Sequence, residues 1–237
     1  MTDHIKKAYY LKTMEFKILL AMKGVNELYG FFMKEQENTD RFQVNKRLFE
    51  MAKKEIVFAD DNKFLMNQDI EVMLNQIIDA EKMVIFSEKS AERPESCIYV
   101  GKEAVCIQLC GQNDDIVRLE RVALSDLPEK IVESGFCVEQ LLADDTLYRE
   151  EKITCPEIAE IAWKSFGKEK NEILKQNGVN ACLLIFSMTT KQKEQQVLLI
   201  GSGMEDYITV SNGSIDDVYI YSEKKVFHII NQCIGEE

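Results

Sequence analysis

The chain has 237 residues and a formal net charge of -12. Hydrophobic residues make up 46% and charged residues 30%, so the chain can bury enough apolar surface to fold along its length, as one large domain or two small ones. The acidic balance repels phosphate backbones and anionic lipid, which excludes nucleic acid and membrane surfaces as expected partners.

The beginning of the chain and the cysteines both indicate a cytoplasmic protein. Residues 1–12 carry several charges and lack an apolar h-region, and no uncharged run approaches the roughly 18 residues of a membrane span. The seven cysteines are odd in number, include no C-x-x-C pair and lie mostly in apolar runs, which favours buried, reduced thiols. We therefore expect a cytoplasmic protein without membrane insertion.

The first part of the chain is predicted to be helical. Apolar residues in 14–32 recur at alternating spacings of four and three, which places them on one stripe of a helix. The same periodicity predicts helices over 44–54 and 70–78, with a short apolar run at 56–58 between them.

After Ala80 the periodicity becomes that of strands. Short β-branched or aromatic runs predict an antiparallel meander over 83–87, 97–100, 105–109 and 116–122. A cap and an early proline, in the sequence Ser-Asp-Leu-Pro at 125–128, then predict a helix to about residue 134.

The second half repeats this order. The capping-box spacing of Thr154 and Glu157 predicts a helix that reaches Phe166. Four strand-like runs follow, at 182–188, 197–201, 207–210 and 218–221. Residues 226–233 are predicted to form a terminal helix or strand.

The two halves also share residues. The tripeptide Ile-Phe-Ser occurs at 85–87 and again at 185–187, and Gly101 corresponds to Gly201 at the same offset. Coincidence among strand-rich runs is the alternative, but self-similarity at a fixed offset is typical of duplicated units. The sequence thus predicts an α+β protein of two quasi-symmetric halves, 1–136 and 137–237, each an antiparallel β-meander flanked by helices, in one pseudo-two-fold body.

Little in the sequence indicates catalysis. The two histidines cannot supply a triad or a multi-histidine zinc site, and Cys106 with Cys110 lacks a second ligand pair. We expect no cofactor, no metal site and no enzymatic activity. Paired aspartates leave a carboxylate-dependent enzyme as an alternative, although each pair is predicted near a turn; the pairs are at 60/61, 114/115, 144/145 and 216/217.

Residues suited to binding a protein lie in the meanders and near the C-terminus. Arg93 and Pro94 form a stiff basic point in the first long polar loop, which could reach over a partner. Aromatic residues near the C-terminus belong either to the core or to an interface, where tyrosine is favoured. The candidates are Tyr207, Tyr219, Tyr221 and Phe227.

The order of elements resembles that of the EspG-type chaperones of type VII secretion. The features that carry this resemblance are a helix at 14–32, a strand at 56–58, the junction Leu-Ser-Asp-Leu-Pro at 124–128 and a similar second half. In length and acidity the chain is closer to their Gram-positive relatives, the EsaE-like proteins. The resemblance implies a cytosolic protein of two quasi-symmetric α+β halves. It also implies that the protein holds the hydrophobic tip of a helical secretion substrate until export.

Three functions stay open from the sequence. The resemblance implies an export chaperone or targeting factor for a WXG- or LXG-type substrate. An immunity protein that blocks a secreted toxin is the alternative, since an acidic surface suits a basic nuclease; a carboxylate-dependent enzyme is the third. Exposed meander edges also make a homodimer possible.

Overall fold

The computed structural model describes residues 8–31, 41–61, 63–88, 96–110, 115–133, 136, 151–203 and 205–234. The elements in chain order are β1 (Ala8–Lys12), α1 (Thr13–Met22), α2 (Arg41–Lys53), β2 (Val57–Asp60), β3 (Lys63–Met66), α3 (Gln68–Ile78), β4 (Lys82–Glu88), β5 (Ser96–Val100), β6 (Ala104–Cys110), β7 (Ile116–Val122), α4 (Leu127–Glu133), α5 (Pro156–Phe166), α6 (Lys170–Leu174), β8 (Val179–Ser187), β9 (Lys193–Gly201), β10 (Asp206–Ser211), β11 (Asp216–Ile220) and α7 (Glu223–Ile234). The fold class is α+β with antiparallel sheet, as predicted.

The chain forms two compact units whose boundaries differ from the predicted halves 1–136 and 137–237. Among the described residues, the first unit comprises those up to Ala80 together with Cys97–Val122, and the second comprises the others. The difference arises from the contacts of two elements: β4 precedes Cys97 in the chain but pairs along its whole length with β8, and α4, which precedes residue 137, contacts α7. Both therefore belong to the second unit.

In the first unit the strand order is β1-β7-β6-β5. The pairings of β1 with β7 and of β6 with β7 are antiparallel, with Leu11 opposite Val117 and Ile107 opposite Leu119. Buried residues of α1 and α3 contribute to the core of this unit, and Tyr99 lies inside it with its hydroxyl donating to the Tyr29 carbonyl at 2.6 Å. The β2–β3 hairpin is a separate two-stranded sheet.

Helix α1 is shorter than predicted, because Gly24 ends it. Gly24 has a φ of +74° and donates its N–H to Ala21, while the N–H of Val25 donates to Leu20. These two bonds form a Schellman motif, which satisfies the last carbonyls of a helix and stops it. The prediction of a continuous helix over 14–32 was therefore wrong.

In the second unit the strand order is β4-β8-β9-β10-β11. Helix α5 contacts β9, β10 and β11, and α6 contacts β8. The resulting apolar cluster has its buried members on both helices and on the strands beneath them: Ile158, Ile173, Val179, Cys182, Leu184, Leu198, Ile200 and Val218.

The predicted repeat aligns β4 with β8, since adding the offset of 100 found in the sequence to Val84 and Ile85 gives Leu184 and Ile185. The two strands pair antiparallel, with Val84 opposite Ile185 and Ile85 opposite Leu184. The relation between the whole halves stays a prediction.

The C-terminal element is the helix α7, one of the two predicted alternatives. The Lys82 ammonium donates to the carbonyls of Cys233, at 3.0 Å, and Ile234, at 3.3 Å. A cation there neutralises the negative end of the helix dipole. Burial raises the pKa of the Cys233 thiol to about 11, against the opposing effect of the Lys82 charge, so the thiol stays protonated at neutral pH.

The turn between β10 and β11 requires a glycine at position 213. Gly213 has a φ of +83°, and a Cβ atom there would lie 2.8 Å from Cε1 of Phe166. We expect Gly213→Ala to lower the free energy of unfolding by about 2 kcal/mol, from backbone strain together with displacement of the Phe166 ring. Urea unfolding followed by fluorescence of the single tryptophan, Trp163 on α5, measures the effect.

Gly203→Ala is the matched control for this prediction. Gly203 has the same φ of +83°, but no atom lies within 4 Å of the added Cβ. Its substitution should cost only the backbone strain, about 1 kcal/mol. Equal losses in the two variants would show that the Phe166 contact contributes nothing.

Candidate partner-binding surface

The predicted partner-binding residues do not form one exposed surface among the described residues. Arg93 and Pro94 lie outside the part of the chain that the structure describes. Tyr207, on β10, packs against the apolar cluster of the second unit, and its hydroxyl donates to Glu205 at 3.1 Å. Phe227 is half-buried on α7.

Tyr219 and Tyr221 are more buried than a contact surface requires. Their exposed fractions are 8% and 9%. The Lys225 ammonium lies 4.1 Å from the centre of the Tyr219 ring, in a cation–π contact. Burial, assisted by the Asp217 carboxylate, raises the pKa of the Tyr219 phenol. Both tyrosines stabilise the second unit, and binding through them stays a prediction.

The two carboxylate pairs that the structure describes in full lie at a turn and at the start of a strand. Asp60 and Asp61 are at the β2–β3 turn, and Asp216 and Asp217 begin β11, where Asp217 pairs with Lys152 at 2.8 Å. Of the other two pairs, only Asp115 is among the described residues. In the ranges that the structure describes, no group of three or more His, Cys, Asp or Glu side chains is placed to hold a metal ion.

Among the described residues of the first unit, the most exposed large apolar side chain is on α2. Phe42 is 76% exposed and Phe49 61% exposed, whereas Met51 on another face of the helix is completely buried. Helix α2 therefore rests on the unit through a narrow contact and leaves aromatic side chains in water. Monomeric proteins seldom leave clustered apolar surface exposed, and where they do it commonly marks a binding site.

One stripe of α2 alternates apolar and basic residues. Phe42, Lys46, Phe49 and Lys53 follow one another at spacings of four, three and four, so they lie on one face of the helix. Phe42 and Phe49 are about 10.5 Å apart along the axis, at 1.5 Å per residue. We call these four residues the α2 stripe.

The β2–β3 hairpin adds a second exposed apolar pair. Phe58 lies directly opposite Leu65, and their exposed fractions are 47% and 50%. Side chains alternate across a strand, so the neighbouring pair, Ala59 and Phe64, points to the other face. On that face Phe64 meets Phe49 edge to face, with ring centres 5.6 Å apart. Phe58 and Leu65 therefore face away from α2, and we call the stripe and this hairpin pair, one part on each element, the α2–hairpin surface.

Interactions within the first unit hold this surface in place. The Lys54 ammonium, just after α2, pairs at 2.7 Å with the Glu15 carboxylate, which is completely buried. Glu15 also accepts the N–H of Lys12 at 2.8 Å, closing the start of α1. The N–H of Ile56 donates to Met51, which fixes the turn from α2 into β2.

A cleft of about 410 Å³ lies beside the α2 stripe. Lys46 and Arg47 line it from α2, and Lys12 lines it from the β1–α1 junction. Glu50 and Asp115 also line it, and Glu50 pairs with Arg47 at 2.7 Å. The cleft therefore contains more positive than negative groups.

The sequence contained a signal for this surface that the prediction of binding residues did not use. The predicted helix over 44–54 omitted Phe42, so the seven-residue spacing from Phe42 to Phe49 was outside the pattern. A strand was predicted at 56–58, but the return strand β3 was not, so the pairing of Phe58 with Leu65 could not be anticipated.

Among the helices of the described residues, none has both the length and the apolar character that a membrane crossing needs.

Comparison with known proteins identifies the fold. No family model matches the chain, and no curated protein matches it in sequence. The structure is similar to that of the Mycobacterium tuberculosis type VII secretion system chaperone EspG5, solved in complex with the PE25–PPE41 dimer. The TM-score is 0.56 at 9% sequence identity, over 95% of this chain and 95% of that chain. The protein therefore has an EspG-like α+β fold, as its order of elements predicted.

Proposed function

We propose that the protein is a chaperone or targeting factor that binds a helical type VII secretion substrate, of the WXG or LXG type, in the cytoplasm before export. The observation that carries this proposal is the exposed α2–hairpin surface on a chain with an EspG-like fold. EspG5, which shares the fold, is named as a type VII secretion chaperone and was solved with a bound PE25–PPE41 dimer.

Binding of this kind is the capture of a helix by an apolar surface. Phe58 and Leu65 supply an apolar patch on the outer face of the hairpin, and Phe42 and Phe49 supply a second one on α2, beside the charged residues of that helix. Half-exposed side chains can be covered by a partner helix without unfolding the unit. The proposed role needs no cofactor and no catalytic group.

We expect the double substitution Phe58→Ser/Leu65→Ser to weaken capture of the partner by at least about tenfold, because two apolar side chains at the centre of a small interface are lost. The measurement is co-expression with the WXG- or LXG-type protein encoded beside the gene, followed by affinity purification and size-exclusion chromatography. The unchanged protein should yield a soluble one-to-one complex. Both side chains are half-exposed, so the fold should survive their replacement.

Ile215→Ser is the control, since Ile215 is an exposed apolar residue in the β10–β11 turn of the second unit. It should leave the complex intact. If the unchanged protein co-elutes with no secretion substrate from its locus, the proposed function is wrong. If it instead neutralises the toxicity of a neighbouring protein whose export does not depend on it, the immunity function is supported.

A further inference from the structure

We propose that the segment bound by the α2 stripe is an acidic amphipathic helix of the partner. Its apolar side chains would cover Phe42 and Phe49, and its carboxylates would lie against Lys46 and Lys53. This inference rests on the proposed function and specifies the chemistry of the partner.

The spacing of the residues in the α2 stripe matches the pitch of a second helix packed along it. Apolar and basic residues alternate along it about once per turn, from Phe42 through Lys46 and Phe49 to Lys53. A helix packed along this face has the same pitch, so apolar residues seven apart can meet the two phenylalanines. Acidic residues one turn further along then meet the two lysines, as in helix pairs with an apolar seam and flanking charges.

The charge of α2 favours an acidic partner. Helix α2 has a net charge of +3 on a chain whose total is -12. Its one acidic residue is Glu50, and its four basic residues are Arg41, Lys46, Arg47 and Lys53. The next most basic of the described helices is α7, where Lys224 and Lys225 against Glu223 give +1. Basic charge is therefore concentrated on the helix that also exposes the two most accessible phenylalanines.

The surroundings of the stripe select one occupant. Two copies of α2 in a symmetric dimer would bring like charges together, which disfavours a second copy on this face. Nucleic acid is disfavoured because the chain as a whole is strongly acidic. The cleft beside the stripe adds Lys12 to the positive groups, while Arg47 there is paired with Glu50 and Asp115 also lines the cleft. A carboxylate-bearing helix satisfies both the aromatic and the basic residues.

The test uses a synthetic helical peptide of about 21 residues, long enough to span α2 with leucines at seam positions and glutamates flanking them. The matched probe has every glutamate replaced by glutamine. Fluorescence anisotropy with the full chain should show the glutamate peptide binding at least about tenfold tighter at low salt, with the preference shrinking as salt screens the charges. Equal binding of the two peptides would overturn the inference.

Lys46→Glu/Lys53→Glu should abolish the preference for the glutamate peptide. Lys168→Glu/Lys175→Glu changes the net charge equally at exposed lysines of the second unit and should retain the preference. Phe42→Ala should weaken the binding of both peptides by about the same factor. A dimer in sedimentation that the Lys46/Lys53 variant dissociates would assign the stripe to a second copy and overturn the inference.

The charge inference and the proposed function can fail separately. If the Phe58→Ser/Leu65→Ser variant loses the co-expressed partner while the Lys46→Glu/Lys53→Glu variant retains it unchanged, the chaperone function stands. The inference that the partner segment is an acidic helix is then wrong. If no secretion substrate binds the unchanged protein, the chaperone function fails, whatever the peptides show.

Discussion

Met51→Ala is expected to lower the free energy of unfolding by about 2–5 kcal/mol, the range for removal of a buried methionine side chain that leaves a cavity. Met51 is the one completely buried residue of α2. The loss should therefore fall mainly on the docking of this helix. Hydrogen exchange should accelerate across α2 and the β2–β3 hairpin more than in the strands β6 and β7. Capture of the partner should weaken as well, because the α2–hairpin surface is no longer held in place.

Phe42→Ala is the matched control on the same helix. Phe42 is exposed, so its truncation should change stability by less than about 0.5 kcal/mol. It should nevertheless weaken partner binding. If Met51→Ala left hydrogen exchange in α2 unchanged, the helix would be held by contacts other than this side chain.

Lys54→Met is expected to destabilise the protein by about 3 kcal/mol, more than Glu15→Gln does, because it leaves a buried charge without its cation. Glu15 is completely buried and Lys54 is nearly half exposed, so the two ends of the pair are not equivalent. When Lys54 is removed, the carboxylate keeps the N–H of Lys12 but loses its counter-charge. When Glu15 is neutralised, the Lys54 ammonium turns to water at little cost.

A double-mutant cycle measured by urea unfolding tests this asymmetry. In Glu15→Gln/Lys54→Met the buried charge is absent, so the double variant should recover part of the stability that Lys54→Met loses. A surface pair gives the comparison: Lys164→Met, which removes the exposed partner of Glu160 on α5, should cost less than about 0.5 kcal/mol. Equal and additive losses from Glu15 and Lys54 would mean that burial of the carboxylate does not control the energetics.

Met51 and the Glu15–Lys54 pair connect the proposed binding surface to the core of the first unit. One provides apolar burial beneath α2, and the other ties the end of α2 to the start of α1. Binding could therefore be lost through substitutions that never touch the partner. Variants of Phe58 and Leu65, which are half-exposed, separate loss of contact from loss of fold.

The periodicity of the sequence predicted most elements because each has a one-sided burial pattern. The apolar spacing that predicted α3 comprised Ile70, Met73, Leu74, Ile77 and Ile78; the first four form its buried face, whereas Ile78 is 39% exposed. The β-branched runs match the strands β6 to β9. At the junction 124–128, a short 3-10 turn follows the strand β7 and leads into α4, as the Pro128 signal indicated. These patterns are local, so the sequence could show them.

Elements that depend on distant partners were missed. β1 is a short segment in a charged stretch, and its pairing with β7 lies more than a hundred residues along the chain. The hairpin strand β3 has only four residues and is stabilised by β2 and by the contact of Phe64 with Phe49. The strand β4 likewise belongs to the second unit because it pairs with β8, a distant segment of the chain.

The sequence by itself indicated the α+β class, most of the helices and strands in their order, and the acidity, because these follow from local periodicity and composition. The EspG-like fold was implied by the resemblance to a known family. Tertiary structure alone decided which aromatic residues are accessible. Tyr219 and Tyr221 are covered, whereas Phe42 and Phe49 are not, although all four are aromatic residues in or directly beside regular elements. Exposure depends on what packs against a face from elsewhere in the chain, and that information is not contained in the spacing of residues along one element.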